Sequence, residues 1–234
     1  MSKILCIETS TEICSVALSE NGNVTDFRED ITGQNHSRLL TVFINDLLSS
    51  NNLNATELDA VAVSEGPGSY TGLRIGVSVA KGICYAAAIP MIAVSPLESM
   101  TYHVIANMTS FGFNIMPDDV FIPMIDARRM EVYTEVFNAG RERISAVEPV
   151  IIDENSFSTY DNNRIFYFGN GALKCSAVLK AENLNFIDGI ITSARNMCSL
   201  AYQKYELKHF VDVAYFEPFY LKDFVATVGK RKVV

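Results

Sequence analysis

The sequence predicts an α/β protein of two lobes, each a mixed sheet flanked by helices. Three observations carry this reading. The first hundred residues run strand, strand, strand, helix, strand, helix, strand, an order that builds a mixed sheet with helices laid against it. A second set of strand and helix signals follows a loop-like stretch from Thr109 to Asp119, which contains Gly112 and Pro117. Finally, 234 residues with 49% hydrophobic and 20% charged side chains suffice for one large core or two small ones, burying roughly 70% of the unfolded surface.

Each element follows from local pattern. Ile4-Leu5-Cys6-Ile7 is a short apolar run ended by the polar turn Glu8-Thr9-Ser10-Thr11. Cys14, Val16 and Leu18 alternate as a second strand, and Glu20-Asn21-Gly22-Asn23 turns the chain into a third through Val24 and Phe27. From Asn35 the period changes. Leu39, Leu40, Phe43, Ile44, Leu47 and Leu48 recur at three and four, an amphipathic helix with a rich apolar stripe. Val61-Ala62-Val63 is the next strand, closed by Gly66-Pro67-Gly68; a helix starts near Thr71, and Ile89 to Val94 is a further strand. Ser95 then caps a helix with Pro96 at its first position and Glu98 as capping-box partner.

The first lobe is expected over residues 1–100, the second over 101–211, with 212–234 returning to pack on the first. In the second lobe, strands Val120–Ile125 and Glu131–Phe137 flank the tight turn Asp126-Ala127-Arg128-Arg129. Ile165–Phe168 ends at Gly169-Asn170-Gly171, and a helix from about Thr192 to Lys208 gathers Ala194, Met197, Leu200 and Ala201 on one side.

Composition excludes several classes. The chain is too apolar and too weakly charged for intrinsic disorder. The uncharged stretch Gly82 to Leu97 contains Pro90 and falls short of the about 18 residues of a spanning helix. The opening MSKILCIETS lacks the build of a secretory signal, so a cytoplasmic location is expected. Nineteen basic against 27 acidic residues leave a net charge of −8, which disfavours an independent nucleic-acid binder. The cluster Lys230-Arg231-Lys232 reads as a solvated tail. Five scattered cysteines without a CxxC pair, and three distant histidines, predict neither disulfides nor a metal site.

Four motifs remain. Gly66-Pro67-Gly68-Ser69-Tyr70-Thr71-Gly72-Leu73-Arg74-Ile75-Gly76 lacks the lysine of a P-loop and the third glycine of a dinucleotide fingerprint. It reads either as a helix start offering amides to an anion or, preferably, as a helix whose Gly72, Gly76 and Ala80 allow close packing. The Glu8-to-Thr11 turn stands where actin-like and sugar-kinase-like ATPases carry a DxGT-like phosphate hairpin. Here Glu replaces Asp, no glycine is present, and Thr9 and Ser10 would crowd a phosphate. Gly169 and Gly171 would form the second lobe's matching turn, or a plain strand-to-helix turn. Arg128 and Arg129 at a hairpin tip form either an anion clamp or a solvated turn. His36 has Leu40, not histidine, one turn on, and reads as a capping or surface residue.

Taken together, IETST, QNHSRLL, SEGPGSYTGLRIG and IDARRMEVY closely resemble the TsaB (YeaZ) family, accessory subunits in bacterial threonylcarbamoyladenosine modification of tRNA. The likeness is dense over Met1–Met100, continues through Asp126–Tyr133, is faint from Asn138 to Lys208, and returns at Pro218-Phe219-Tyr220-Leu221. It implies the actin-like ATPase (ribonuclease H-like) superfold and pairing with the catalytic paralogue TsaD, which carries nucleotide and metal. A small P-loop ATPase, TsaE, joins them. Where the paralogue has an HxxxH metal motif, this chain has His36 and Leu40.

The function so implied is that of a non-catalytic subunit. It would be required for threonylcarbamoyl transfer to adenosine 37 of tRNAs reading codons that start with A. It would form a homodimer when alone and meet tRNA only through the complex; no catalytic residue, metal or cofactor is expected of the chain itself. The resemblance places the partner interface at His36, Leu39, Leu40, Phe43 and Leu47, with Gly72, Arg74 and Gly76. On that expectation Leu40→Asp abolishes pairing without unfolding the chain. Glu8, Thr9, Ser10, Thr11, Gly169 and Gly171 would be a vestigial nucleotide cleft. The alternative reading is a free-standing actin-like-fold ATPase or kinase; a metallopeptidase lacks its ligands.

Overall fold

A computed structural model describes residues 1–33 and 35–222. In the first sheet, β1 (Lys3–Glu8), β2 (Cys14–Glu20), β3 (Asn23–Asp30), β4 (Ala60–Ser64) and β5 (Met91–Val94) lie in the order β3-β2-β1-β4-β5. β1 runs antiparallel to β2, with Ile7 opposite Val16, and parallel to β4, with Ile7 opposite Val63. The inner strands are buried on both faces, which is why they read as unbroken apolar runs. β3 closes the edge and is largely polar and exposed.

The pleat divides the first sheet's side chains between two layers. Leu5, Ile7, Val16, Leu18, Val61 and Val63 face α1 (His36–Ser50) and α2 (Tyr70–Ala87). The opposite side is lined by Ile4, Cys6, Ala17, Ala60, Ala62, Ile92 and Val94. Ser69 caps α2 by accepting from the Gly72 amide at 3.2 Å.

The second sheet comprises β6 (Val120–Asp126), β7 (Glu131–Thr134), β8 (Phe137–Asn138), β9 (Glu148–Ile151), β10 (Ile165–Phe168) and β11 (Leu184–Ile187). Its order is β11-β10-β6-β7-β9, with β8 antiparallel to β6. α3 (Pro96–Ala106) packs Leu97, Met100 and Val104 against Phe121, Phe137, Phe166 and Phe168. The short α4 (Ala172–Cys175) covers the other face beside Ile122, Met124 and Tyr167.

Two expectations are corrected. The strand read over Glu131–Phe137 is split into β7 and β8. The paired residues jump from Met124–Thr134 to Phe121–Phe137, skipping the stretch where Pro123 has no N–H to donate; its carbonyl accepts from the Thr134 hydroxyl at 2.7 Å. The last helix, α5 (Ala194–Glu206), is not a second-lobe element. Its Ala194, Met197, Cys198, Leu200 and Ala201 cover the small-residue face of the first sheet. That face needs a helix, and α3, the candidate next in sequence, is spent on the second sheet.

Beyond α5 the chain runs back along the first sheet. The Val211 amide donates to Met91 O at 2.9 Å, Val213 and Phe216 pack against its core, and the Phe219 amide donates to Glu65 O at 2.7 Å. Lys230, Arg231 and Lys232 lie outside the described residues. No helix among the described residues is long and apolar enough to cross a membrane.

Candidate functional site

The ends of β1, β6 and β10 open onto a cleft of about 1050 Å³ between the two sheets. One wall is the β1–β2 turn. Two of its amides are taken within the first lobe. The Thr9 amide donates to Ser64 Oγ at 3.2 Å, and the Ser10 amide to the Glu8 carboxylate at 2.6 Å. Glu8 is fully buried; burial pushes its carboxyl up, while bonds from Ser10, Ser64 and Thr9 pull it back.

α2 is pressed onto this turn. The Ser69 amide donates to Ser10 O at 2.6 Å. A Cβ on Gly68 would lie 2.1 Å from Ser10 O, one on Gly72 2.2 Å from Thr9 O, and one on Gly76 2.3 Å from Thr9 Oγ1. The glycines therefore serve packing. A magnesium triphosphate does not fit this turn, because two of its amides are taken and a carboxylate fills it.

The facing turn follows β10. Gly169 has φ +105°, and a Cβ there would lie 2.3 Å from Met124 O; one on Gly171 would lie 3.0 Å from the Asp126 amide. Both glycines let the turn sit against β6, as a plain strand-to-helix connection requires. Between them Asn170 accepts from the Asp126 amide at 3.1 Å and donates to Glu12 at 3.1 Å, joining the lobes across the cleft. A lone asparagine between glycines gave no sign of this.

At the β6–β7 hairpin tip, Arg128 (φ +73°) and Arg129 (φ +49°) are exposed and line the cleft. Among the described residues neither has an ion-pair partner, whereas Asp126 pairs with Lys174 and Glu131 with Lys222. Tyr70 and Tyr220 stand on the rim with ring centroids 4.8 Å apart.

The expected interface set divides. Leu40 and Leu47 are 1% and 0% exposed and belong to the first lobe's own core, so they cannot face a partner. Gly72 and Gly76 are spent on Thr9. His36 is buried, its Nε2 donating to Ile13 O at 3.0 Å, which makes it a tie between α1 and the β1–β2 turn. Leu39 and Phe43 are half-buried and Arg74 is exposed. The outward apolar residue missed by the reading is Val42, 48% exposed.

Also missed was an acidic hub where the lobes join. Glu135 is 1% exposed, 3.4 Å from Arg143, which also pairs with Glu98 at 2.8 Å. Burial pushes the Glu135 carboxyl up to about 7, against the pull of Arg143. No group of three or more metal-ligating side chains is assembled among the described residues.

Comparison with known proteins decides the family. A family model described as "TsaD: tRNA N6-adenosine threonylcarbamoyltransferase" matches residues 29–229. A tRNA threonylcarbamoyladenosine biosynthesis protein TsaB from Haemophilus influenzae is 31% identical over 232 residues, covering 94% of this chain and 93% of that protein. The chain belongs to the TsaB family. The TsaB of Escherichia coli is 30% identical, with 96% of each chain covered. YeaZ from Pseudomonas aeruginosa superposes with a TM-score of 0.74 at 24% identity, covering 94% of this chain and all of that one, so the TsaB fold extends across both lobes. An ADPNP-bound activator of 2-hydroxyisocaproyl-CoA dehydratase from Clostridium difficile shares the fold more distantly, at TM-score 0.51 and 8% identity. The two lobes are those of the actin-like ATPase superfold, with the TsaB turn closed by its own carboxylate.

Proposed function

We propose that the chain is the non-catalytic partner subunit in threonylcarbamoyl transfer to adenosine 37 of tRNAs reading codons that start with A. It acts by pairing with the catalytic paralogue TsaD, which shares its fold family, with TsaE joining the pair. Alone it forms a homodimer, and it meets tRNA only through the complex. One observation carries this reading: the turn that would grip a phosphate is filled by Glu8 and braced by the glycines of α2. A chain of this fold without a phosphate grip contributes through its surface.

The pairing surface is the outer side of α1, through Val42 with the half-buried Leu39 and Phe43, together with Arg74 on α2. Apolar residues at the centre of such a patch supply roughly 25 cal/mol per Å² buried, before the costs of association. Val42→Glu leaves the core intact and places a charge in the patch. Co-elution with TsaD on size exclusion is expected for the wild type and lost in this variant. Equal co-elution of both would remove α1 from the interface. The alternative, a free-standing ATPase or kinase, requires turnover by the isolated chain; steady Mg-ATP hydrolysis abolished by Glu8→Ala would replace the present reading with that one.

A further inference from the structure

We propose that the strap following α5, residues 211–222, is a latch that holds the two lobes closed over the cleft, anchored along its length to the first lobe and fastened at its tip to the second. The described chain passes between the lobes twice, at Ser95 between β5 and α3 and over residues 188–193 between β11 and α5. Gly189, on the second crossing, has φ +74° and open space where a side chain would stand. α3 and α5 meet away from the cleft, where Lys204 approaches Glu98 at 3.8 Å. Two short connections beside one helix contact permit hinge motion, so the opening of the cleft depends on what bridges its mouth.

The anchored part is built into the first lobe. The Asp212 carboxylate turns the chain by accepting from the Ala214 and Tyr215 amides at 2.8 and 3.1 Å, and Lys81 of α2 donates to Ala214 O at 3.0 Å. Val213 and Phe216 pack on the core. The fit is closest at Gly66, where φ is +104° and a Cβ would lie 2.6 Å from Phe219 O. The glycine after β4 thus leaves the space that the strap occupies.

The tip is of another kind. Beyond Tyr220, whose ring lies against Tyr70, Lys222 crosses to β7, where its ammonium pairs with Glu131 and stands 6.0 Å over the Tyr133 ring. The Lys222 and Glu131 side chains are 42% and 21% exposed. A pair so open to water is weak and readily broken, in contrast with the apolar packing that holds Val213 and Phe216. Beside it at the mouth, Asn170 donates to Glu12 at 3.1 Å. A strap that only covered the first sheet would need nothing beyond Phe219. A firm anchor with a breakable tip on the other lobe makes it a latch.

The test uses the full chain without any partner subunit, so that its outcome is independent of the pairing proposed above. Spin labels on Thr71→Cys in α2 and Leu173→Cys in α4 report the separation of the lobes by pulsed electron resonance. Both positions are exposed, while the five native cysteines are buried. Lys222→Glu sets two carboxylates face to face, and the mean label separation should lengthen by more than about 2 Å. Glu131→Lys should do the same. The double variant Lys222→Glu with Glu131→Lys restores the pair with its signs exchanged and should return the wild-type separation, which damage to the fold would not. Hydrogen exchange tests the anchor: the Phe219 amide should stay protected in Lys222→Glu, because its bond to Glu65 O lies on the first lobe. Unchanged separation in both single variants, lengthening that the double variant fails to reverse, or loss of protection at Phe219 overturns the proposal.

Discussion

Glu8, Gly72, Leu40 and Glu135 each turn on a single packing or solvation fact. At Gly72 a methyl group would sit 2.2 Å from a backbone oxygen of the β1–β2 turn, which cannot swing aside. Gly72→Ala is therefore expected to lower stability by about 2 kcal/mol or more, a fall of roughly 5 °C in the melting temperature of a chain this size. An unchanged melting curve would show that α2 is not braced on the turn. Leu40 is 1% exposed, and truncating a buried leucine to alanine alone costs roughly 2–5 kcal/mol. Leu40→Asp should leave little folded protein by circular dichroism, in place of a folded chain that merely fails to pair.

Glu135 makes stability depend on pH. Its folded carboxyl is raised to about 7, above the ordinary glutamate value, so the native state holds a proton that the unfolded chain releases. The stability present at low pH is then lost as pH rises through about 7. Glu135→Gln removes this loss: the variant should gain on the wild type in melting temperature between pH 5 and pH 8. Parallel profiles would mean that the carboxyl is not held protonated by its surroundings.

At the scale of elements, what could be read depended on whether a pattern names its own partner. β1 to β5 were legible because alternation, apolar runs and the Asn21-Gly22 turn are local signals. So was the start of α3, where Ser95 accepts from the Glu98 amide at 3.3 Å. β9 and β11 were not, being four residues each and interrupted by Pro149 and by Asn185. The apolar stripe of α1 was plain, but the sequence does not say which of its residues face their own sheet. Leu40, Ile44 and Leu47 do, leaving Val42 outward. The face that α5 covers was equally hidden, because Ala17, Ala60 and Ala62 accept any helix with small residues, wherever it stands in the chain. A prediction belongs here. Ala201→Phe, on the buried side of α5, should destabilise the first lobe and open the amides of β1 to hydrogen exchange. Protection confined to a loss in the second sheet would contradict the assignment of α5.

For the whole molecule, the two sheets are tied together around the cleft by Asn170 to Glu12 and by Lys222 to Glu131, and away from it Lys204 of α5 approaches Glu98 of α3 at 3.8 Å. The motifs that carry the family resemblance converge on this region: IETST forms the closed turn, GPGSYTGLRIG braces it, and IDARRMEVY supplies the opposite lip. The candidate site was thus legible as a place. Its altered chemistry was half legible, since the missing glycine showed in the sequence but the capture of the Ser10 amide by Glu8 appears only in three dimensions. The central claim is that this chain supports a transferase through contact and does no phosphate chemistry of its own. The most direct measurement is the rate of threonylcarbamoyladenosine formation on tRNA in a reconstituted mixture containing TsaD and TsaE, with and without this chain. The account predicts that omission stops or severely slows the reaction and that adding the wild-type chain restores it; an undiminished rate in its absence would contradict it.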